Sequence, residues 1–382
     1  MAMIRMTNAK VVLPDGEADL ATLTIRDSEI ASVEASTNGD FAGETIDVDG
    51  CVIFPGFVDV HDHGAVGVDV NTADAESLLK VAGYLATCGV TSWLPTLVPD
   101  SDENYRRVIG EIDRLIELQV GKPVAQALGV HYEGVFANEK MCGALRPEFF
   151  KSGHDLGYLP RLRNGVHMTT FAPEIEGGVA LAAELTGQGW VASIGHTRAD
   201  PATLDAAFAA GARHMTHFFN AMTGIHHRDI GVAGWGLANP DVTFAIIADG
   251  FPVDPRTLRS ASPTKSPEKV CLISDSVAPT GLGDGEFELW GEKISVVNGR
   301  TRNERGSIAG SVTTMLEGVK MMRSIGFTDN EVAAMASGNP AKLLGIDRLT
   351  GTIEVGKSAD LVAIDGEGKV VLTMVRGQIV EK

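Results

Sequence analysis

Eight short, mostly apolar runs recur along the middle of the chain, at 52–60, 90–97, 125–130, 167–171, 191–194, 214–218, 243–248 and 270–274. Helical patterns intervene at 73–88, 102–119, 177–188 and 201–210, the last with Asp200 as N-cap and Pro201 in the first helical position. Several runs are continuously apolar, as suits parallel strands buried on both faces. Eight strand–loop–helix units predict an α/β fold, a closed (β/α)8 TIM barrel. The helix after the sixth run has no clear pattern. The two ends read differently. Residues 3–53 and 350–382 hold short β-type runs between turns, such as Leu23 and Ile25 among Leu20, Thr22 and Thr24. Neither end carries enough apolar area to fold alone. A small β-sandwich built from 1–55 plus 350–382 is therefore expected, with 56–349 as the barrel.

With 44% apolar and 21% charged residues, the chain of 382 can bury a full core. Its 50 acidic and 32 basic residues leave a net charge of −18. Such a surface repels phosphate backbones and anionic lipid, so neither nucleic acid nor a membrane is the expected partner. An anionic substrate would need a local basic pocket. Cys51, Cys88, Cys142 and Cys271 lie far apart with no C-x-x-C pair, which speaks against a disulfide framework or a structural zinc finger. The opening MAMIRMTNAK lacks the apolar run of a signal peptide, so a cytoplasmic location is expected.

All ten histidines fall between His61 and His227. His61 and His63 form an H-x-H pair directly after the first run; on an extended chain, residues i and i+2 face the same way and can reach one ion. Glu133 follows the third run, His196 the fifth, His217 ends the sixth and Asp275 follows the eighth. In this barrel all strand C-termini converge on one mouth, where active sites lie. Each residue alone has a bland reading: a lone His is usually packed, and a lone carboxylate is often a helix cap. Six metal-type residues at five strand ends point together to a metal site. Neutral imidazoles with carboxylates suit Zn2+, with Fe2+, Co2+ or Mn2+ as alternatives. His154, His167 and His214 have no such placement, and His131 reads as packing or support for the site.

At these residues the chain resembles the amidohydrolase superfamily and, within it, the N-acetylglucosamine-6-phosphate deacetylases. The resemblance runs through PGFVDVHDHG, GVTSWLPTL, HYEGVF, SIGHT, THFFNAMTG, IIADG, SDSVAPTG, GSIAGS and GTIEVGKSADLV. It implies hydrolysis of an amino-sugar phosphate to the free amine and acetate, one or two divalent ions per chain, and a homodimer. It implies Glu133, His196 and His217 as ligands of one ion, His61 and His63 as ligands of a second, and Asp275 as the catalytic acid/base. It further implies sugar-phosphate contacts at Ala144, Asn220, Ala221, Arg228 and Ile308. The chain departs from the family pattern at Phe251-Pro252 and Leu145, each standing where a His is common, and at Cys142, where a basic residue is common. His226 and His227 either add charge near the phosphate or simply occupy the loop. Cys142 lies in a Gly-flanked stretch at 134–147 that reads either as a mobile lid or as the site of a buried spectator thiol. Two alternatives remain at this stage: another metal-dependent amidohydrolase, such as an amino-acid deacylase or cyclic amidase, or a non-catalytic sugar-phosphate-binding relative.

Overall fold

A computed structural model describes residues 3–35 and 41–381. Its centre is a ring of eight parallel strands: β1 (Phe57–Asp62), β2 (Val90–Leu97), β3 (Gly129–Phe136), β4 (Val166–Phe171), β5 (Val191–Ile194), β6 (His214–Met215), β7 (Thr243–Ile247) and β8 (Val270–Ile273). Neighbours pair in chain order from β1 to β8. The last seam closes just beyond the strand ends. The Asp275 N–H donates to the His61 carbonyl at 3.0 Å, and the His63 N–H donates to the Ser276 carbonyl at 2.8 Å. Side chains reinforce it: the Ser274 hydroxyl donates to Asp59 at 2.5 Å and the Ser276 hydroxyl to Asp62 at 2.6 Å.

Helices pack outside the ring by the usual amphipathic logic. Ala75–Thr87 is capped by the Asp74 side chain, which accepts from the Ser77 N–H, and buries Leu78, Val81, Ala82 and Leu85 on one face. Asp102–Leu118 starts on a Ser101 cap and buries Tyr105, Val108, Ile109, Ile112 and Leu115. After the sixth strand, where no helical pattern stood out, a short helix runs Gly231–Ala238; it is rich in Gly and Ala and almost wholly buried, so it carries no polar stripe to reveal it. Among the described residues, no helix is long and apolar enough to cross a membrane.

Three strands differ from the sequence expectation. The first run splits at Gly56. Val52–Pro55 pairs with Met3–Leu13 and Leu361–Ile364 in the terminal sheet, and only Phe57 onward joins the ring. A Cβ at Gly56 would lie 2.2 Å from the Thr91 side chain, so the crossing is tight. The third strand runs on to Phe136, which places Glu133 within it rather than after it; polar residues are admitted there because they face the site rather than the core. The sixth ladder ends at Met215, short of His217.

Both chain ends contribute to one continuous mixed sheet. Its order is Gln378–Ile379, Val370–Val375, Leu361–Ile364, Val52–Pro55, Met3–Leu13, Gly16–Arg26 and Glu29–Ala35, with Glu44–Asp47 also paired to Met3–Leu13. Met6, Leu23, Ile25, Ile53, Leu361 and Met374 share its buried cluster. A further three-stranded antiparallel sheet, Gly285–Leu289, Glu292–Val297 and Arg300–Asn303, follows β8. The sequence reading passed over it, although Phe287, Leu289, Ile294 and Val296 alternate with polar residues and Asn298-Gly299 is a strong hairpin signal.

β3 carries Glu133, so its seat against β4 matters. A Cβ at Gly129 would lie 1.9 Å from the Val166 backbone oxygen, its cross-strand neighbour. Gly129→Ala is expected to cost about 1–3 kcal/mol by forcing the strands apart. Gly110→Ala, within an exposed helical turn with open space around it, is expected to add roughly 0.5–1 kcal/mol. Calorimetric Tm values of the two variants check the contrast: a Gly129 variant as stable as wild type would show that the strands have slack.

Candidate active site

The strand ends bring six side chains into one buried cluster. His61 lies within β1 and His63 just beyond it, facing the same way. His196 follows β5 and His217 follows β6 by two residues each, and Asp275 follows β8 by two. These last three have positive φ, at 48°, 30° and 52°. For residues other than Gly that is a strained turn, and strain of this kind persists where the surrounding structure enforces it. Gly310 helps enforce it at Asp275: any side chain there would press on Val277 and on the Asp275 carbonyl, and its own φ is 58°.

The donors form two groups, His61–His63–Asp275 and Glu133–His196–His217. In the second, Glu133 Oε1 stands 3.0 Å from His196 Nε2 and 2.9 Å from His217 Nε2, and the two nitrogens are 3.0 Å apart. In the first, Asp275 Oδ1 is 3.3 Å from both His61 Nε2 and His63 Nε2. Glu133 joins the two, with its Oε2 3.3 Å from His63 Nε2.

Tautomers show what such a cluster needs. His63 Nδ1 donates to the Thr96 carbonyl at 3.1 Å, and His196 Nδ1 donates to the Met141 carbonyl at 2.7 Å. The Nε2 atom of each neutral ring is then a lone pair, and it faces carboxylate oxygens that are lone pairs too. Acceptors packed this closely repel unless a cation lies among them. Protons can fill that place: burial opposes a charge on His63, but Asp275 and Glu133 outweigh it and raise the ring to about 10. Burial likewise pushes Glu133 up, yet His61, His196, His217 and His63 hold it well below the usual carboxylate range. Asp275 is held low in the same way by His61 and His63, against its burial. The arrangement equally suits a divalent ion, with backbone carbonyls fixing the ring orientations behind the ligands.

His131 lies beneath this cluster. It hydrogen-bonds the Val60 carbonyl at 3.0 Å and the Thr170 hydroxyl at 2.7 Å, and its ring meets His61 edge-on at 4.7 Å. Thr170, Thr216 and Ser193 continue the hydroxyl chain across the ring interior.

A cavity of about 270 Å³ opens over the donors, and Ala144, Asn220, Ala221 and Ile308 line it together with His63, Glu133, His196, His217 and Asp275. Arg228, His226 and His227 are not brought to it. They sit on an exposed turn closed by His226 and Asp229, outside the cavity lining. Cys142 does not line the cavity either; it packs beside Ala144 and Leu145. Its loop is tethered at several points. The Met141 carbonyl accepts from His196, the Asn138 N–H donates to the His196 carbonyl, and Arg305 donates to the Ala144 carbonyl at 3.2 Å. Leu145 and Pro252 both line the cavity, as apolar surface. Sequence reasoning missed Trp290, which also lines it; the residue belongs to the three-stranded sheet that went unread.

A parallel barrel that gathers two histidine–carboxylate groups at its mouth is the framework of a metal-dependent hydrolase. The chain belongs to the amidohydrolase family, whose profile matches residues 52–380, and that family implies a divalent metal. The chain is 36% identical over 341 residues to the N-acetylglucosamine-6-phosphate deacetylase of Bacillus subtilis (strain 168), covering 86% of this chain and 84% of the relative. It is 32% identical over 375 residues to the N-acetylgalactosamine-6-phosphate deacetylase of Escherichia coli O157:H7, covering 97% of each. A mutant N-acetyl-D-glucosamine-6-phosphate deacetylase from Mycobacterium smegmatis, solved in complex with N-acetyl-D-glucosamine-6-phosphate, superposes with a TM-score of 0.90 at 29% identity over all of both chains.

The two donor groups can be separated experimentally. Replacing His61 with Gln and His63 with Asn should lower the metal-to-protein ratio while Glu133, His196 and His217 keep an ion. Elemental analysis of purified protein reads this directly. An unchanged ratio would mean that the H-x-H pair holds no ion of its own.

Proposed function

We propose that this chain hydrolyses the acetamide of N-acetyl-D-glucosamine 6-phosphate to D-glucosamine 6-phosphate and acetate, as a cytoplasmic homodimer holding one or two divalent ions, Zn2+ first among the candidates. The observation that carries the reading is the position of Asp275. Its carboxylate stands 3.3 Å from both His61 and His63, at the floor of a cavity sized for a small ligand.

Glu133, His196 and His217 would hold one ion, and His61 and His63, with Asp275 beside them, would hold a second. A bound divalent ion supplies Lewis acidity, polarising the amide carbonyl and making water a nucleophile near neutral pH. Asp275, kept ionised by its histidine neighbours, takes a proton from the attacking water. As the C–N bond breaks, the same carboxyl delivers that proton to the departing sugar nitrogen. Asn220 and Ala221, on the loop after β6, lie where they can hold the sugar, and His131 fixes the ring of His61 from below.

The phosphate needs a cation, yet none of the described residues lining the cavity is Lys or Arg. Arg228 is the candidate in the dimer. Its turn lies between Ile225 and Ile230, which are 61% and 40% exposed and apolar. A second copy docked there would cover both and enclose the Arg228 turn, leaving its guanidinium for the phosphate. Its guanidinium can bind phosphate through two parallel hydrogen bonds.

Acetate release from N-acetylglucosamine 6-phosphate tests the reading, with the galacto epimer and the unphosphorylated sugar as comparisons. Asp275→Asn should lower kcat by about 10²- to 10⁴-fold, the typical worth of one general acid/base; near-normal turnover would remove Asp275 from the mechanism. Arg228→Ala should lower kcat/KM for the phosphorylated sugar by roughly 10- to 150-fold, equivalent to about 1.5–3 kcal/mol, and leave the unphosphorylated sugar nearly unchanged. Equal losses on both would place the phosphate elsewhere.

A further inference from the structure

Two hairpin turns in the three-stranded sheet share one backbone conformation and differ in sequence. Asn298-Gly299 has φ values of 52° and 71°, and Trp290-Gly291 has 54° and 79°. Both join adjacent antiparallel strands through two residues. Positive φ at both central positions favours Asn-Gly, and the first turn follows that preference. A bulky aromatic in the same position is a genuine outlier. Trp290 is therefore held against the local preference by something other than the turn.

Its surroundings show what that is. Trp290 is 9% exposed, and its ring meets the His63 ring edge-on at 5.3 Å. Its indole N–H is buried with no hydrogen-bond partner among the described residues, so packing rather than a polar contact holds the ring. The residue lines the catalytic cavity of about 270 Å³ and also a neighbouring cavity of about 340 Å³. Among the described residues, only Leu145 and Trp290 line both. These two side chains are the wall between them.

We propose that Trp290, with Leu145, is the partition that limits the acyl group this site accepts to acetyl. This rests on the deacetylase reading above. The scissile carbonyl must sit where Asp275 and the histidines converge, with the sugar nitrogen on one side and the acyl carbon chain on the other. The sugar contacts Asn220 and Ala221 follow β6, three strands round the ring from β1. Trp290 packs on the His63 that follows β1. If the sugar lies toward Asn220 and Ala221 rather than toward Ala144 and Ile308, the acyl methyl points to Trp290, and a longer chain runs into the indole. With the indole removed, the second cavity becomes room for that chain.

The test compares kcat/KM for N-acetyl- and N-butyryl-glucosamine 6-phosphate in metal-loaded wild type, Trp290→Asn and Leu145→Ala. Trp290→Asn restores the favoured Asn-Gly turn, so its hairpin should fold at least as well as in wild type. The wild-type enzyme should favour acetyl strongly. In Trp290→Asn the acetyl-to-butyryl ratio should fall by roughly 10- to 200-fold, the range set by poorly matched hydrophobic pockets, through a rise on the butyryl substrate. Leu145→Ala should move the ratio the same way by less. An active wild type with an unchanged ratio in both variants overturns the partition and leaves the deacetylase reading standing, as does an equal loss on both substrates. A wild type that releases no acetate overturns both.

Discussion

The seam between β8 and β1 is the contact on which the site depends. Seven strand pairs form ordinary ladders, whereas the eighth is made mainly past the strand ends, where the Asp275 N–H meets the His61 carbonyl and the His63 N–H meets the Ser276 carbonyl. The same two hydrogen bonds close the ring and set Asp275 against the H-x-H pair. Asp59 and Asp62 meet Ser274 and Ser276 across the same seam, so buried side chains as well as the backbone hold it. Closure and chemistry cannot be separated here: a shift in one is a shift in the other.

Much of this could be read from the chain. Eight runs with the right alternation predicted the ring, and the six donors named from strand ends do lie together. The errors have physical causes. The first run crosses from one sheet to another without a change of composition, because Val52–Pro55 and Phe57–Asp62 are both buried, and only Gly56 marks the passage. The third strand looked short because its later residues are polar, yet His131 and Glu133 face the interior at a mouth where polar groups are paired. Arg228 is near Asn220 and Ala221 in sequence but sits on a turn exposed to solvent. Trp290 stayed hidden because the sheet that carries it was not sought beyond the eighth strand.

Reaction and selection come from different parts of the chain. The ring and its first few residues of loop carry every donor, and their strained turns leave little freedom. The wall residues come from attachments: Leu145 from the tethered loop after β3, Ile308 and Trp290 from the excursion after β8. Both attachments also touch the donors, the loop through the Met141 carbonyl on His196 and Trp290 through its ring on His63.

The terminal sheet has a consequence for synthesis. Val52–Pro55 lies between Met3–Leu13 and Leu361–Ile364, so an interior strand of the sheet has one neighbour made before the barrel and the other made after it. The ribosome must complete the whole barrel before that second neighbour emerges. Until then the nascent chain presents a buried-type apolar strand with an open edge, which is a template for pairing with other chains. The ring can assemble as it is made, but the sheet must wait for the strands that follow the barrel, and this interval is when the protein is most exposed to aggregation.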